Sequence, residues 1–140
     1  AIQTEPIWSP GAKEVIFSSD RDGSVQIYAI NLQTKKVRKL THHGSYNVSP
    51  SMSKDGKYLV YLSRIDRKLQ TVALELDNQA LSWIGGGVLD DNPKIGSGAI
   101  VVYSHSKNQK SSLTLTDIEG DFHMNISHKN TSIKYPSWYD

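Results

Sequence analysis

His42-His43, Asp20-Arg21-Asp22-Gly23, Asp90-Asp91-Asn92 and Gly85-Gly86-Gly87 are the stretches of this sequence whose residue types and spacing could support chemistry. Two imidazoles side by side suggest a metal, yet adjacent positions on an extended chain point opposite ways and no third ligand stands at zinc spacing, so the pair reads as loop hydrogen bonding. Asp20 to Gly23 starts as a calcium loop does but lacks the bidentate Glu that closes one; Asp-Gly is also an ordinary turn signal, and a hairpin is expected there. Asp90, Asp91 and Asn92 offer hard oxygen ligands of the kind Ca²⁺ takes. The three glycines lack the Lys-Ser/Thr of a phosphate loop and read as punctuation. Asn-x-Ser triplets at Asn47, Asn125 and Asn130 matter only in a eukaryotic secretory pathway. With no Cys nucleophile and no Gly-x-Ser-x-Gly elbow, no catalytic set emerges.

Composition narrows the class further. In 140 residues, 21% are charged and 37% hydrophobic, the balance of one globular domain with a real core, and no apolar run approaches a membrane span. The net charge of +2 is small and the basic residues are scattered, which argues against nucleic acid. The one dense basic group, Lys35, Lys36, Arg38 and Lys39, alternates around Val37 as the solvent face of a strand would. Absence of Cys leaves the redox compartment open. The opening AIQTEPIW is not a signal peptide; if the protein is exported, such a segment has been removed or lies upstream.

The elements that must position these residues come from internal repetition. Pro6, Pro50, Pro93 and Pro136 recur at spacings of 44, 43 and 43. After each of the first three comes a small turn, then an apolar strand (Val15 to Ser18, Leu59 to Ser63, Ile100 to Ser104), a polar loop, a third strand and a fourth. Four antiparallel strands at this period make the blade of a β-propeller, whereas a plain sandwich has no reason to repeat a Pro-led strand at a fixed interval. The expected architecture is all-β: blades 1–47, 48–91 and 92–134, then the first strand of a fourth, 135–140. Three blades and a strand do not close a ring, so a fragment of a longer propeller is expected.

The residues Trp8-Ser9-Pro10-Gly11, Ile16 to Gly23, Gln26-Ile27-Tyr28 and Leu40-Thr41 resemble the repeat of the TolB propeller family. Less repetitive details, Thr4-Glu5-Pro6-x-Trp8, Leu89-Asp90-Asp91-x-Pro93, Asp117-x-Glu119-Gly120-Asp121-Phe122 and the final Lys134-Tyr135-Pro136-Ser137-Trp138, are similar to the last blades and C-terminus of that family. Gly11-Ala12 stands where Asp-Gly is usual, Met52 where Trp is usual, and the turn Gly96-Ser97-Gly98 is one residue short; these departures concern local geometry. The resemblance implies about half of a six-bladed ring, with upstream blades and a separate N-terminal domain missing from these residues, and a non-enzymatic, periplasmic component of the Tol-Pal system. Such a protein binds the lipoprotein Pal, works with other Tol proteins in envelope integrity and cell division, and is exploited by colicin translocation segments. It also implies neither nucleic acid binding nor membrane insertion. The competing expectation is the propeller portion of a prolyl-oligopeptidase-like peptidase or another propeller enzyme.

In a blade, the fourth-to-first connection and the second-to-third loop share one end of the channel, and here those segments are the long, polar ones. The resemblance maps the family's partner-contacting Thr-Glu pair onto Thr4 and Glu5; the alternative for Glu5 is a salt bridge to Arg21 or to a neighbouring blade. His42, Tyr46, Asn47, Asp90 and Asp91 join the candidate contact on position alone. No cofactor is expected, apart from a channel cation such as Ca²⁺, which the family's channel can accept, at Asp90 and Asp91.

Overall fold

A computed structural model describes residues 6–84, 89–96, 100–107, 110–118 and 123–127, with backbone alone over 89–92, 104–107, 110–112 and 123–127. Among the described residues, twelve strands form three four-stranded antiparallel sheets in simple meander order. The first blade holds β1 (Ile7–Trp8), β2 (Glu14–Ser19), β3 (Gln26–Asn31) and β4 (Val37–Lys39). The second holds β5 (Asn47–Met52), β6 (Tyr58–Ile65), β7 (Lys68–Glu75) and β8 (Ala80–Trp83). The third holds β9 (Leu89–Ile95), β10 (Ile100–Lys107), β11 (Lys110–Asp117) and β12 (His123–Ser127). The expected closing strand, 135–140, lies outside the described residues.

Strand alternation explains why the sheets stack face to face. Ile16, Ile27, Ala29 and Leu40 of the first blade meet Leu59, Tyr61, Val72 and Leu74 of the second in one apolar seam. The intervening residues of the second blade, Val60 and Ala73, point the other way and join Ile95, Val101, Tyr103 and Ile118 of the third. Successive side chains of a strand leave opposite faces, so a blade buried on both sides reads as a continuous apolar run rather than an alternating one. Leu59 to Leu62 is such a run, and all four residues are buried.

The first blade's other face carries Phe17 and Tyr28, cross-strand partners whose rings stack 5.9 Å apart. The Arg21 guanidinium lies over both, 5.1 and 4.9 Å from their centroids, and Tyr28 donates its hydroxyl to Asp22 at 2.9 Å. Beside them runs a row set by register, Trp8, Val15, Ile30 and Val37, with Trp8 61% and Val37 41% exposed.

Two inner strands begin upstream of the prolines that mark them in sequence, and the cause is a β-bulge. Val48 pairs with Leu62 and Ser51 with Val60, leaving Ser49 and Pro50 opposite Tyr61 alone. In the third blade Asn92 and Pro93 likewise face Tyr103, between Asp91↔Ser104 and Lys94↔Val102. Pairing resumes before each bulge, so Asn47 and Leu89 to Asp91 are strand residues rather than loop. Bulges bend a strand and re-aim its side chains; Ser49 takes φ 56°. The inner strands β5 and β9 run side by side, with the Ile95 N–H donating to Ser51 Oγ at 3.2 Å.

The departure at Gly11-Ala12 has a conformational cost. Ser9 O accepts from Ala12 N as Ser53 O accepts from Gly56 N, each at 2.9 Å, so the two turns correspond. Gly56 sits at φ 74°, where no Cβ is strained, and Ala12 is held at φ 55° in the same place.

Candidate functional site

The loop joining the first two blades is built around one buried glutamine. Gln26 opens β3 and donates from Nε2 to the carbonyls of His43 (3.2 Å) and Gly44 (3.0 Å). Its Oε1 accepts from Thr41 Oγ1 (2.5 Å) and from Asn47 Nδ2 (2.8 Å), while Asn47 Nδ2 also donates to His43 O at 2.8 Å. Thr41 Oγ1 in turn accepts the Ile27 N–H at 3.0 Å. Gln26, Thr41 and Asn47 are all buried. Buried polar groups persist when paired, and apart from Asn47 Oδ1 this set is paired across three elements, so it fixes the path of residues 41–47. The backbone adds Val25 N to Ser45 O (3.0 Å), Asn47 N to Val25 O (2.9 Å) and Arg64 N to Tyr46 O (3.0 Å). The loop thus rests on the β2–β3 and β6–β7 hairpins, which places all three at one end of the blades.

His43 closes the outer part of this seam. Its Nε2 bonds the hydroxyl of fully buried Tyr61, its ring lies 5.7 Å from that of Tyr61, and Trp83 meets it edge-on at 6.0 Å. Burial, and secondarily the charge of His42, hold His43 below its ordinary 6.5, while burial pushes the Tyr61 hydroxyl up. With its proton on Nδ1 a neutral His43 accepts a hydrogen bond from the Tyr61 hydroxyl at Nε2; a protonated one can only donate to the Tyr61 oxygen. A folded-state value depressed below the unfolded one gives stability that is fully present above 6.5 and lost as pH falls through the folded value. The urea midpoint is therefore expected to drop between pH 7.5 and pH 5 by more in the native chain than in His43→Phe. Equal drops in both proteins would refute this role.

The remaining candidate residues fare differently. His42 is exposed in the loop. Tyr46 is half-buried and has the Arg64 guanidinium 4.0 Å from its ring centroid. Asn47, expected as an open loop contact, is fully buried and spends its amide on the seam, so it holds the loop rather than facing a partner. Asp90 and Asp91 lie in β9 opposite His105 and Ser104, and Asp90 takes the register position that Asn47 takes in the second blade. Thr4 and Glu5 lie outside the described residues. Asp20 to Gly23 forms the expected turn, with Gly23 N donating to Asp20 O at 2.9 Å, and its Asp22 is engaged by Tyr28 and, at 3.9 Å, by Lys39. Sequence reasoning did not single out Gln26 or Arg64. Gln26 had a signal, since Gln70 recurs at the matching place opposite a serine in β6; Arg64 had none.

Inner strands that break at a bulge, outer hairpins and a polar loop gathered at one end reproduce a specific repeat. The family description "TolB beta propeller domain" matches residues 1–140. The chain belongs to the TolB β-propeller family. It is 30% identical over 135 residues to the Tol-Pal system protein TolB of Francisella tularensis, an alignment covering 89% of this chain and 31% of that protein. The crystal structure of TolB from Acinetobacter baumannii superimposes with a TM-score of 0.89 at 28% identity, over 96% of this chain and 34% of that one. Puromycin hydrolase shares the fold at a TM-score of 0.75 and 13% identity, over 94% of this chain and 21% of its own. The chain spans about a third of the length of the TolB relatives it matches.

Proposed function

We propose that this chain is the partner-binding half of a non-enzymatic periplasmic scaffold in the Tol-Pal system. In this reading the propeller binds the lipoprotein Pal at the loop end of its channel. It thereby supports envelope integrity and cell division alongside other Tol proteins, and colicin translocation segments compete for the same mouth. The observation that carries the reading is the bulge of the inner strands. Glu5 stands immediately before Pro6 as Ser49 stands before Pro50 and Asn92 before Pro93. Ser49 and Asn92 sit at bulges on inner strands, where a side chain is re-aimed out of the sheet's regular alternation. A carboxylate at that repeat position can accept charge-assisted hydrogen bonds from a segment entering the channel. Thr4, His42, Tyr46, Asp90 and Asp91 complete the proposed contact, and the two aspartates are the channel's candidate Ca²⁺ ligands.

Glu5→Ala is expected to weaken Pal binding by the propeller containing this chain at least tenfold, the scale of a lost charge-assisted hydrogen bond. Changes at Lys35 or Lys36, which border β4 at the far edge of the first blade, should alter affinity by less than about twofold. Titration calorimetry with soluble Pal decides this. Similar losses at Glu5 and at the two lysines would sink the proposed site.

A further inference from the structure

We infer that Arg64, whose guanidinium lies over the ring of Tyr46, anchors a second recognition site on the loop end, one that takes carboxylates of an acidic segment from a protein partner. Tyr46 is fixed from both sides: its flanking residues are bonded to Val25 of the first blade, and its own carbonyl accepts the Arg64 N–H at 3.0 Å. The guanidinium carbon lies 4.0 Å from the Tyr46 ring centroid, although the Arg64 residue as a whole is exposed. An arginine stacked on an aromatic ring has lost much of its side-chain freedom while its N–H donors still point outward along the guanidinium plane. That fork matches a carboxylate in bidentate fashion.

Nothing among the described residues claims those donors. The ion pairs of Arg38 with Glu14 and of Lys39 with Asp22 lie on the first blade and do not reach this hairpin. Arg67 and Lys68, both exposed, follow in the same hairpin, whose two-residue turn Asp66-Arg67 (φ 48° and 71°) joins the paired ends Ile65 and Lys68. The matching hairpin of the third blade closes on the register pair Lys107 and Lys110, and its sequence from Ser104 to Ser112 contains no acidic residue. The second blade's hairpin therefore carries three cationic residues against Asp66, and the third blade's adds Lys107 and Lys110 at its paired ends, while Asp20 and Asp22 stand on the first blade's hairpin at the same end and Asp90 and Asp91 on the inner strand β9. Such a field raises the encounter rate with an acidic partner. An anionic membrane is the poorer match, because Asp66 occupies the tip of the turn, where a flat surface would touch first, and one pinned guanidinium suits discrete carboxylates better than a diffuse layer.

The site shares Tyr46 with the proposed Pal contact, but its test involves neither Pal nor Glu5. The test uses the full chain, a labelled, end-blocked peptide of alternating Glu and Ser, its Gln-Ser counterpart, and phosphatidylglycerol vesicles. The native chain should bind the Glu peptide and not the Gln peptide. Arg64→Ala should weaken binding about tenfold, and Arg64→Lys, which keeps the charge but not the fork, should recover little of it. The double change Arg67→Ala with Lys68→Ala should cost only about two- to threefold and flatten the salt dependence. No binding of the Glu peptide, equal binding of the Gln peptide, full recovery by Arg64→Lys, or binding to vesicles alone would each overturn the inference. All three positions are exposed, so circular dichroism of the variants should match the native chain.

Discussion

Tyr61→Ala should lower the unfolding free energy by about 4 kcal/mol, the range for removing a large buried aromatic side chain. Tyr61 is fully buried in β6, packs in the seam with Ile16, Ile27 and Leu40, and faces the bulged residues Ser49 and Pro50. Alanine there leaves a cavity bounded by two sheets and a strained strand, with little freedom to collapse. Tyr61→Phe keeps the ring and loses only the hydroxyl bonded to His43, so it should cost about 1 kcal/mol. Trp83→Ala supplies the contrast. Its ring is larger but 45% exposed on the edge strand β8, and its loss should stay near 1 kcal/mol. Urea denaturation of the three variants ranks them; a Trp83 effect equal to that of Tyr61 would mean that the seam between the blades is not where the stability lies.

The second large effect is expected from Gln26→Leu, a change of similar volume that removes every polar atom at the centre of the loop network. It takes the acceptor from the buried Thr41 hydroxyl and one of two acceptors from the buried Asn47 amide, and it removes a donor from the part-buried carbonyls of Gly44 and His43, the latter keeping Asn47 Nδ2. Each buried group left unpaired costs about 1–3 kcal/mol, and since these relax together a total of about 3 kcal/mol is expected. Gln33→Leu, on an exposed turn, should fall within about 0.5 kcal/mol of the native chain. A Gln26→Leu loss under about 1 kcal/mol would show that the loop is held by its backbone bonds to Val25 and Arg64 instead. Because the network precedes the candidate site in the chain of causes, the same substitution should also loosen Tyr46 and Arg64.

These residues also mark where the sequence was legible. The recurrence of Pro6, Pro50 and Pro93 with apolar runs behind them was enough to give three four-stranded sheets, because period and turn chemistry are local properties that a chain displays in order. The end of the blades that bears the polar connections was legible for the same reason, but the second-to-third segment of the second blade, read as a long loop over 63–69, is strand on both sides of the two-residue turn Asp66-Arg67. What local pattern could not show is which polar residues face water. Asn47 looks like a loop contact in Ser45-Tyr46-Asn47-Val48-Ser49, yet the bulge at Ser49 and Pro50 carries the strand past the proline and turns Asn47 inward, onto a glutamine from another blade. The same extension moves Asp90 and Asp91 into β9. Arg64 was hidden for a related reason. Its partner Tyr46 is eighteen residues away, and a cation lying over a ring leaves no spacing rule to find.

Strand β6 serves two masters. Leu59 and Tyr61 fill the seam on one side of it and Val60 the seam on the other. A slip of one residue in its pairing would exchange the contents of both seams at once. Evolutionary drift in this strand is thus constrained from two directions, and a neutral change on one side must also be neutral next door. The middle sheet is a shared wall, so the array tolerates novelty at its rims, in hairpins such as Arg64 to Lys68, far more readily than in the strand those hairpins hang from.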